Sequence, residues 1–310
     1  MPDLSRAPKL KQLILQRCIG LSKIHASLEN LKCLIRLDLN GCKCLESLPE
    51  NLGNIKGLEE LDVSETAITE LPSSFVLLKN LIVLSLGRCK GLSSNKFISF
   101  PLIQKRRVDP TDILGRTLSN SRFLTHLNLS YCNLQAIPDS LGCLSSLTNL
   151  NLSYCNLQAI PNSLGCLSSL TNLNLSYCNL QAIPDSLGCL SSLEVLCLSG
   201  NNFVCLPEST TQLSNLDSLY LYGCTHLRSL PELPSNIDFI QAHGCASLEI
   251  LPLRAEDGPY PFLYLLGCDK LINNEDYDDM LLAILRHHII QVSLSLSLSL
   301  SCEVLNIMIL

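Results

Sequence analysis

Residues 124–146 read LTHLNLSYCNLQAIPDSLGCLSS, residues 147–169 read LTNLNLSYCNLQAIPNSLGCLSS, and residues 170–192 read LTNLNLSYCNLQAIPDSLGCLSS. The blocks differ only at His126/Asn149/Asn172 and Asp139/Asn162/Asp185. In LTNLNLS of the third block, Leu173 and Leu175 alternate with Asn172, Asn174 and Ser176, the period-two pattern of a strand with one buried and one open face. Pro184 then forbids a continuing central strand and holds Ile183 extended. Leu180, Ile183, Leu187 and Leu190 are placed to face inward from an outer layer of short helical or 3₁₀ turns. One strand and one turn cannot bury this leucine face alone, so the blocks must stack on one another.

Working outward, the pattern Leu-x-x-Leu-x-Leu-x-x-Cys/Asn restarts at Leu10, Leu34, Leu58, Leu81, Leu124, Leu147, Leu170, Leu193, Leu216, Ile237 and Tyr260. The spacings are 24, 24, 23, 43, 23, 23, 23, 23, 21 and 23 residues, all but one within the range of leucine-rich repeats. The expected fold is an α/β horseshoe solenoid, with a parallel sheet on the concave face and the turns on the convex face. Strands stacked about 4.8 Å apart would extend it roughly 50 Å. The predicted organisation is a leading segment at 1–9, repeats over 10–271 with an irregular insertion at 93–123, a capping helix at 272–291, and a disordered Ser-Leu tail at 292–310. The insertion reads as a convex loop or a degenerate repeat, and its run Lys105-Arg106-Arg107 as a solvated cluster or a nuclear import signal.

The whole chain has 310 residues, 22 basic and 28 acidic, for a net charge of −6. That balance gives no footprint for nucleic acid. Aromatics are 5% and Trp is absent, yet there are 70 Leu, so one aliphatic side chain fills the interior. Of 17 Cys, nine occupy the ninth position of the repeat: Cys18, Cys42, Cys89, Cys132, Cys155, Cys178, Cys224, Cys245 and Cys268. Asn201 takes that position once. A small side chain turned inward there can satisfy backbone groups in the turn. Cys143, Cys166 and Cys189 recur on the convex side. With no Cys-x-x-Cys pair and no leader sequence, the thiols read as structural, with no metal site, and as belonging to a reducing, cytoplasmic setting. The six His share no motif with a nucleophile or carboxylate, so no catalysis and no cofactor are expected.

The units LxxLxLxxC, the phrase GCKCLESLPENLGNIKGLEELDVSETAITELPSSF and the later LRSLPELPSNIDFIQAHGCASLEILP resemble plant TIR-type nucleotide-binding leucine-rich-repeat immune receptors. The resemblance implies a module that senses a pathogen effector or a guarded host protein and restrains a nucleotide-dependent switch carried elsewhere. No phosphate-binding Gly-x-x-x-x-Gly-Lys-Ser/Thr loop is present, so nucleotide binding is not carried over. A stand-alone repeat adaptor and a cell-surface ectodomain are the alternatives. The second would require a leader, paired cysteines and glycans on the Asn-Leu-Ser sequons.

The open strand face supplies the candidate contacts. Asn128, Asn151 and Asn174 form one column, Tyr131, Tyr154 and Tyr177 another, with Tyr220 and Tyr222 further along. Tyrosine suits protein recognition, although duplication alone could have copied a tolerated surface residue. Near the amino end, Lys11, Arg17, Arg36 and Arg88 are basic while Glu59, Glu60, Asp62 and Glu65 are acidic, a set able to dock a partner domain by complementary charge, and the resemblance implies that this end faces the receptor's own nucleotide-binding domain.

Overall fold

The computed structural model describes residues 3–89, 121–252 and 261–272. Each repeat contributes a three-residue strand: β1 Gln12–Ile14, β2 Arg36–Asp38, β3 Glu60–Asp62, β4 Val83–Ser85, β5 His126–Asn128, β6 Asn149–Asn151, β7 Asn172–Asn174, β8 Val195–Cys197, β9 Ser218–Tyr220, β10 Phe239–Gln241 and β11 Phe262–Tyr264. They form one parallel sheet in strict sequence order. The register repeats without slippage: the central residues Leu127, Leu150, Leu173 and Leu196 lie opposite one another and are buried. A one-residue slip would turn this leucine row outward, which is why the register is fixed.

Across the long spacing the sheet is continuous, because Leu84 pairs directly with Leu127. The expected insertion at 93–123 falls mostly on residues 90–120, which lie outside the described residues. The expected capping helix and Ser-Leu tail also lie outside them, apart from Ile272, which ends the one-turn helix α1 at Asp269–Ile272.

The outer layer consists of 3₁₀ turns, among them Asp139–Cys143, Asn162–Cys166 and Asp185–Cys189. Each follows an extended proline, Pro138, Pro161 or Pro184, whose fixed φ sets the entry to the turn. Leu180, Ile183, Leu187 and Leu190 are buried, as the pattern requires.

The ninth residue ties each unit to the one before. The thiols of Cys42, Cys132, Cys178 and Cys268 donate to the carbonyls of Leu15, Leu86, Leu152 and Ala242, each at 3.1 Å. The Asn201 amide makes the same bond to Leu175 O at 2.9 Å. Thr66 also fills this place, but its hydroxyl bonds within its own unit, to Val63 O at 2.7 Å. Cys18 departs from the expected inward position and is exposed. It belongs to the first unit among the described residues, and no carbonyl partner is seen for its thiol there. Ser176, expected on the open face, is buried like its counterparts Ser130 and Ser153, because the chain bends at the strand end and folds them under.

Candidate functional site: the concave face and its rim

Three positions of each unit build the face: the third and fifth residues on the strand, and the eighth just beyond it. In β5–β7 the third residues are His126, Asn149 and Asn172, and the fifth are Asn128, Asn151 and Asn174. They line a shallow concavity of about 410 Å³ that runs from β4 to β8. His126, Asn149 and Asn172 were not among the expected contacts, although the 23-residue period places them beside the asparagine column.

The column Asn128, Asn151, Asn174 has a structural duty as well. Each side-chain carbonyl accepts the backbone N–H of the serine two residues on, Ser130, Ser153 or Ser176, at 3.0 Å. Asp62 does the same for Ser64 at 2.8 Å. These local turns bend the chain out of the strand. The asparagine –NH₂ groups remain as donors on the open face.

The eighth residue is left-handed in all eleven units: Arg17, Gly41, Glu65, Arg88, Tyr131, Tyr154, Tyr177, Gly200, Gly223, Gly244 and Gly267, with φ between 57° and 77°. Glycine adopts this conformation freely, whereas a residue with a Cβ resists it. From Glu65 to Tyr177 the non-glycine side chains nevertheless form an unbroken ladder. Glu65 pairs with Arg88 at 3.6 Å. The Arg88 guanidinium lies 4.6 Å over the Tyr131 ring. Tyr131 and Tyr154 stack at 4.1 Å, and Tyr154 and Tyr177 at 4.5 Å. The ladder ends where Tyr177 covers Gly200, since a Cβ there would sit 2.3 Å from the ring. Burial among neighbouring rings pushes the Tyr154 and Tyr177 hydroxyls up from the usual phenol range. The tyrosines therefore offer ring edges and hydroxyls to solvent while their faces cover one another.

Tyr220 and Tyr222 do not extend this ladder. Tyr220 is a fifth residue, aligned with Cys197, and Tyr222 is a seventh. They join Phe239, His243 and Tyr264 in a separate aromatic zone over β9–β11, with Phe262 opposite Phe239 in the strand register. Those four residues were not anticipated, because the phrase from Ile237 onward keeps the period but replaces the repeat's polar third residue with Phe.

At the amino end the expected charges are brought together and partly neutralise one another. Arg36 bridges Asp38 at 3.3 Å and Glu60 at 3.4 Å. Arg88 and Glu65 are joined in the ladder, and Asp62 is engaged in its turn. Lys11 and Arg17 are exposed on β1's flanks, and Glu59 is half-buried. No group of three or more metal-ligating side chains is present among the described residues.

Strand order, leucine row and ninth-position ladder define a leucine-rich-repeat solenoid. The chain belongs to the leucine-rich-repeat family: the model for a leucine-rich repeat region matches residues 1–101, and that for the leucine rich repeat matches 122–180 and 168–227. It is 34% identical to TMV resistance protein N of Nicotiana glutinosa over 44% of this chain and 11% of that protein. It is 37% identical to disease resistance-like protein DSC1 of Arabidopsis thaliana over 45% of this chain and 10% of the relative. The chain thus spans about a tenth of the length of these relatives. The resemblance to plant disease resistance proteins read from the sequence is borne out. Among solved structures, the leucine-rich repeat domain of the type III effector XopL matches at TM-score 0.60 and 24% identity, covering 77% of this chain and 79% of that one, a likeness of fold. No described helix is long and apolar enough to cross a membrane.

Proposed function

We propose that this chain is the non-enzymatic recognition module of a plant intracellular immune receptor, sensing a pathogen effector or guarded host protein and restraining the receptor's switch. The observation that carries this reading is the ladder from Glu65 to Tyr177. Five consecutive non-glycine residues are kept at left-handed positions that glycine fills in five other units. Strain of this kind is retained where the side chains are used. Tyrosine hydroxyls beside a row of amide donors suit a protein surface. The charged amino end, with Lys11 and Arg17 exposed, is the side on which the receptor's nucleotide-binding domain would dock. The buried thiols fit the reducing cytoplasm. A free-standing adaptor would use the same face and would differ only in what the chain is joined to.

The test is Tyr154→Gly with Tyr177→Gly in the complete receptor polypeptide, expressed in leaf tissue with a panel of pathogen effectors. Glycine occupies the equivalent place in neighbouring units, so the fold should survive. Effector-dependent cell death and co-precipitation should be lost. An unchanged response would remove the ladder from recognition.

A further inference from the structure

The carboxyl-terminal third of the face carries a different chemistry. Phe239 contacts Tyr220 at 5.3 Å and Tyr264 at 5.5 Å, and Tyr222 packs on His243 at 4.2 Å. Phe262 and Tyr264 are each 57% exposed. Contiguous aromatic surface left open to this degree marks a place of contact.

Along its border runs an acidic row. The residues that precede β8, β9 and β10 are Glu194, Asp217 and Asp238, all exposed. They are stacked in register, for the Asp217 N–H donates to Glu194 O and the Asp238 N–H to Asp217 O, both at 2.9 Å. Like charges opposite one another on adjacent strands destabilise a sheet. Near the other end of the same sheet acid faces base, as in Arg36–Glu60 and Arg88–Glu65. None of the three is ion-paired to a cation among the described residues. The row is therefore a run of exposed negative charge without a cation of its own among the described residues, and it is complementary to positive charge from outside.

We propose that β9–β11 take a partner segment combining apolar or aromatic side chains with lysine or arginine. Its apolar groups seat on Tyr220, Phe239 and Tyr264, and its cations lie along Glu194, Asp217 and Asp238 or over the ring faces. The net charge of −6 favours the approach of such a segment. This rests on the concave face being a recognition surface and adds the chemistry of what it recognises.

The probe is a fluorescein-labelled peptide of alternating arginine and tryptophan, titrated against the whole chain by fluorescence anisotropy, beside a counterpart with glutamate in place of arginine. Asp217→Asn with Asp238→Asn removes two charges, and the amide oxygen introduced by the first change still offers an acceptor to the Ser218 hydroxyl, which bonds the Asp217 carboxylate at 2.7 Å. This variant should bind the arginine peptide about tenfold more weakly and lose most of the salt dependence. Tyr264→Ser should weaken binding at every salt concentration, and Cys166→Ser on the convex face should leave it unchanged. Melting curves establish that each variant is folded. Equal affinity of the charge variant and the parent, equal affinity for the glutamate peptide, or no binding of the arginine peptide would each overturn the proposal. If binding instead falls with Tyr154→Gly and survives the charge variant, the contact lies on the ladder: this proposal fails and the recognition reading stands. If the leaf response ignores the tyrosines while the peptide behaves as expected, the ladder reading fails and this one stands.

Discussion

At the eighth residue of each unit, backbone and side chain make opposing demands. Placing a residue with a Cβ at φ near +58° costs about 1 kcal/mol. Tyr131, Tyr154 and Tyr177 recover part of that through two stacked contacts, each of about 0.5–1.5 kcal/mol. The ninth residue has the contrasting task of remaining neutral inside. Burial pushes the Cys178 thiol up from 9.0 to about 12. The sign follows from proton counting. Between those values the unfolded chain releases its proton while the folded chain keeps it, so stability falls as pH rises. This contribution is fully present below about pH 9 and lost by about pH 12. Cys132, Cys155 and Cys89 shift in the same direction, also through burial. Urea midpoints should thus decline through this alkaline window, and Cys178→Ser should decline less steeply. An identical slope would mean that the thiol is not held protonated by burial.

Between elements, the outer turns approach one another at glycine. A Cβ on Gly142, Gly165 or Gly188 would lie 2.2, 2.4 or 2.3 Å from the carbonyl oxygen of Ser163, Ser186 or Ser209 in the next turn. Backbone cannot yield as a flexible side chain does, so Gly165→Ala should destabilise by about 1–3 kcal/mol. Gly20→Ala, with nothing within 4 Å, should be nearly neutral. Equal urea midpoints for the two variants would show that the turns can separate freely. The sequence discloses the strands because leucine at period two and proline after it constrain the backbone directly. It does not disclose this glycine contact, since closeness between units is a tertiary fact. The site divides in the same way. Tyr154 and Asn151 were legible as members of two repeated exposed columns, but the ladder was not, because nothing local shows that Arg88 and Tyr131, 43 residues apart, follow adjacent strands. Nor did spacing place Tyr220 with Phe239 in preference to Tyr177. That grouping arises because Tyr220, a fifth residue, meets Phe239, a third residue of the next unit, on the strands themselves, whereas Tyr177, an eighth residue, stands beyond them.

Over the whole molecule, repetition makes the units from Leu124 to Ser192 interchangeable. Each bonds the preceding unit by the same thiol, meets the next turn at the same glycine and extends the same leucine row. Stability in such an array is a sum of unit and interface contributions, and no interface is unique to the middle copy. Deleting residues 147–169 joins Ser146 to Leu170 and restores the native Ser-Ser-Leu-Thr junction. Cys178 then meets Leu129 O as Cys155 does now at 3.4 Å, and Tyr131 stacks directly on Tyr177. The shortened chain should fold with one strand fewer in the sheet. Its urea m-value should fall in proportion to the surface removed, since m scales with the area exposed on unfolding. Far-UV circular dichroism and a cooperative melt are the measurements. An aggregated or non-cooperative product would show that long-range strain, rather than nearest-neighbour contact, sets the array. If the chain folds, the number of tyrosine rungs can change by whole repeats without a penalty in architecture, so the length of the proposed recognition surface is itself free to vary.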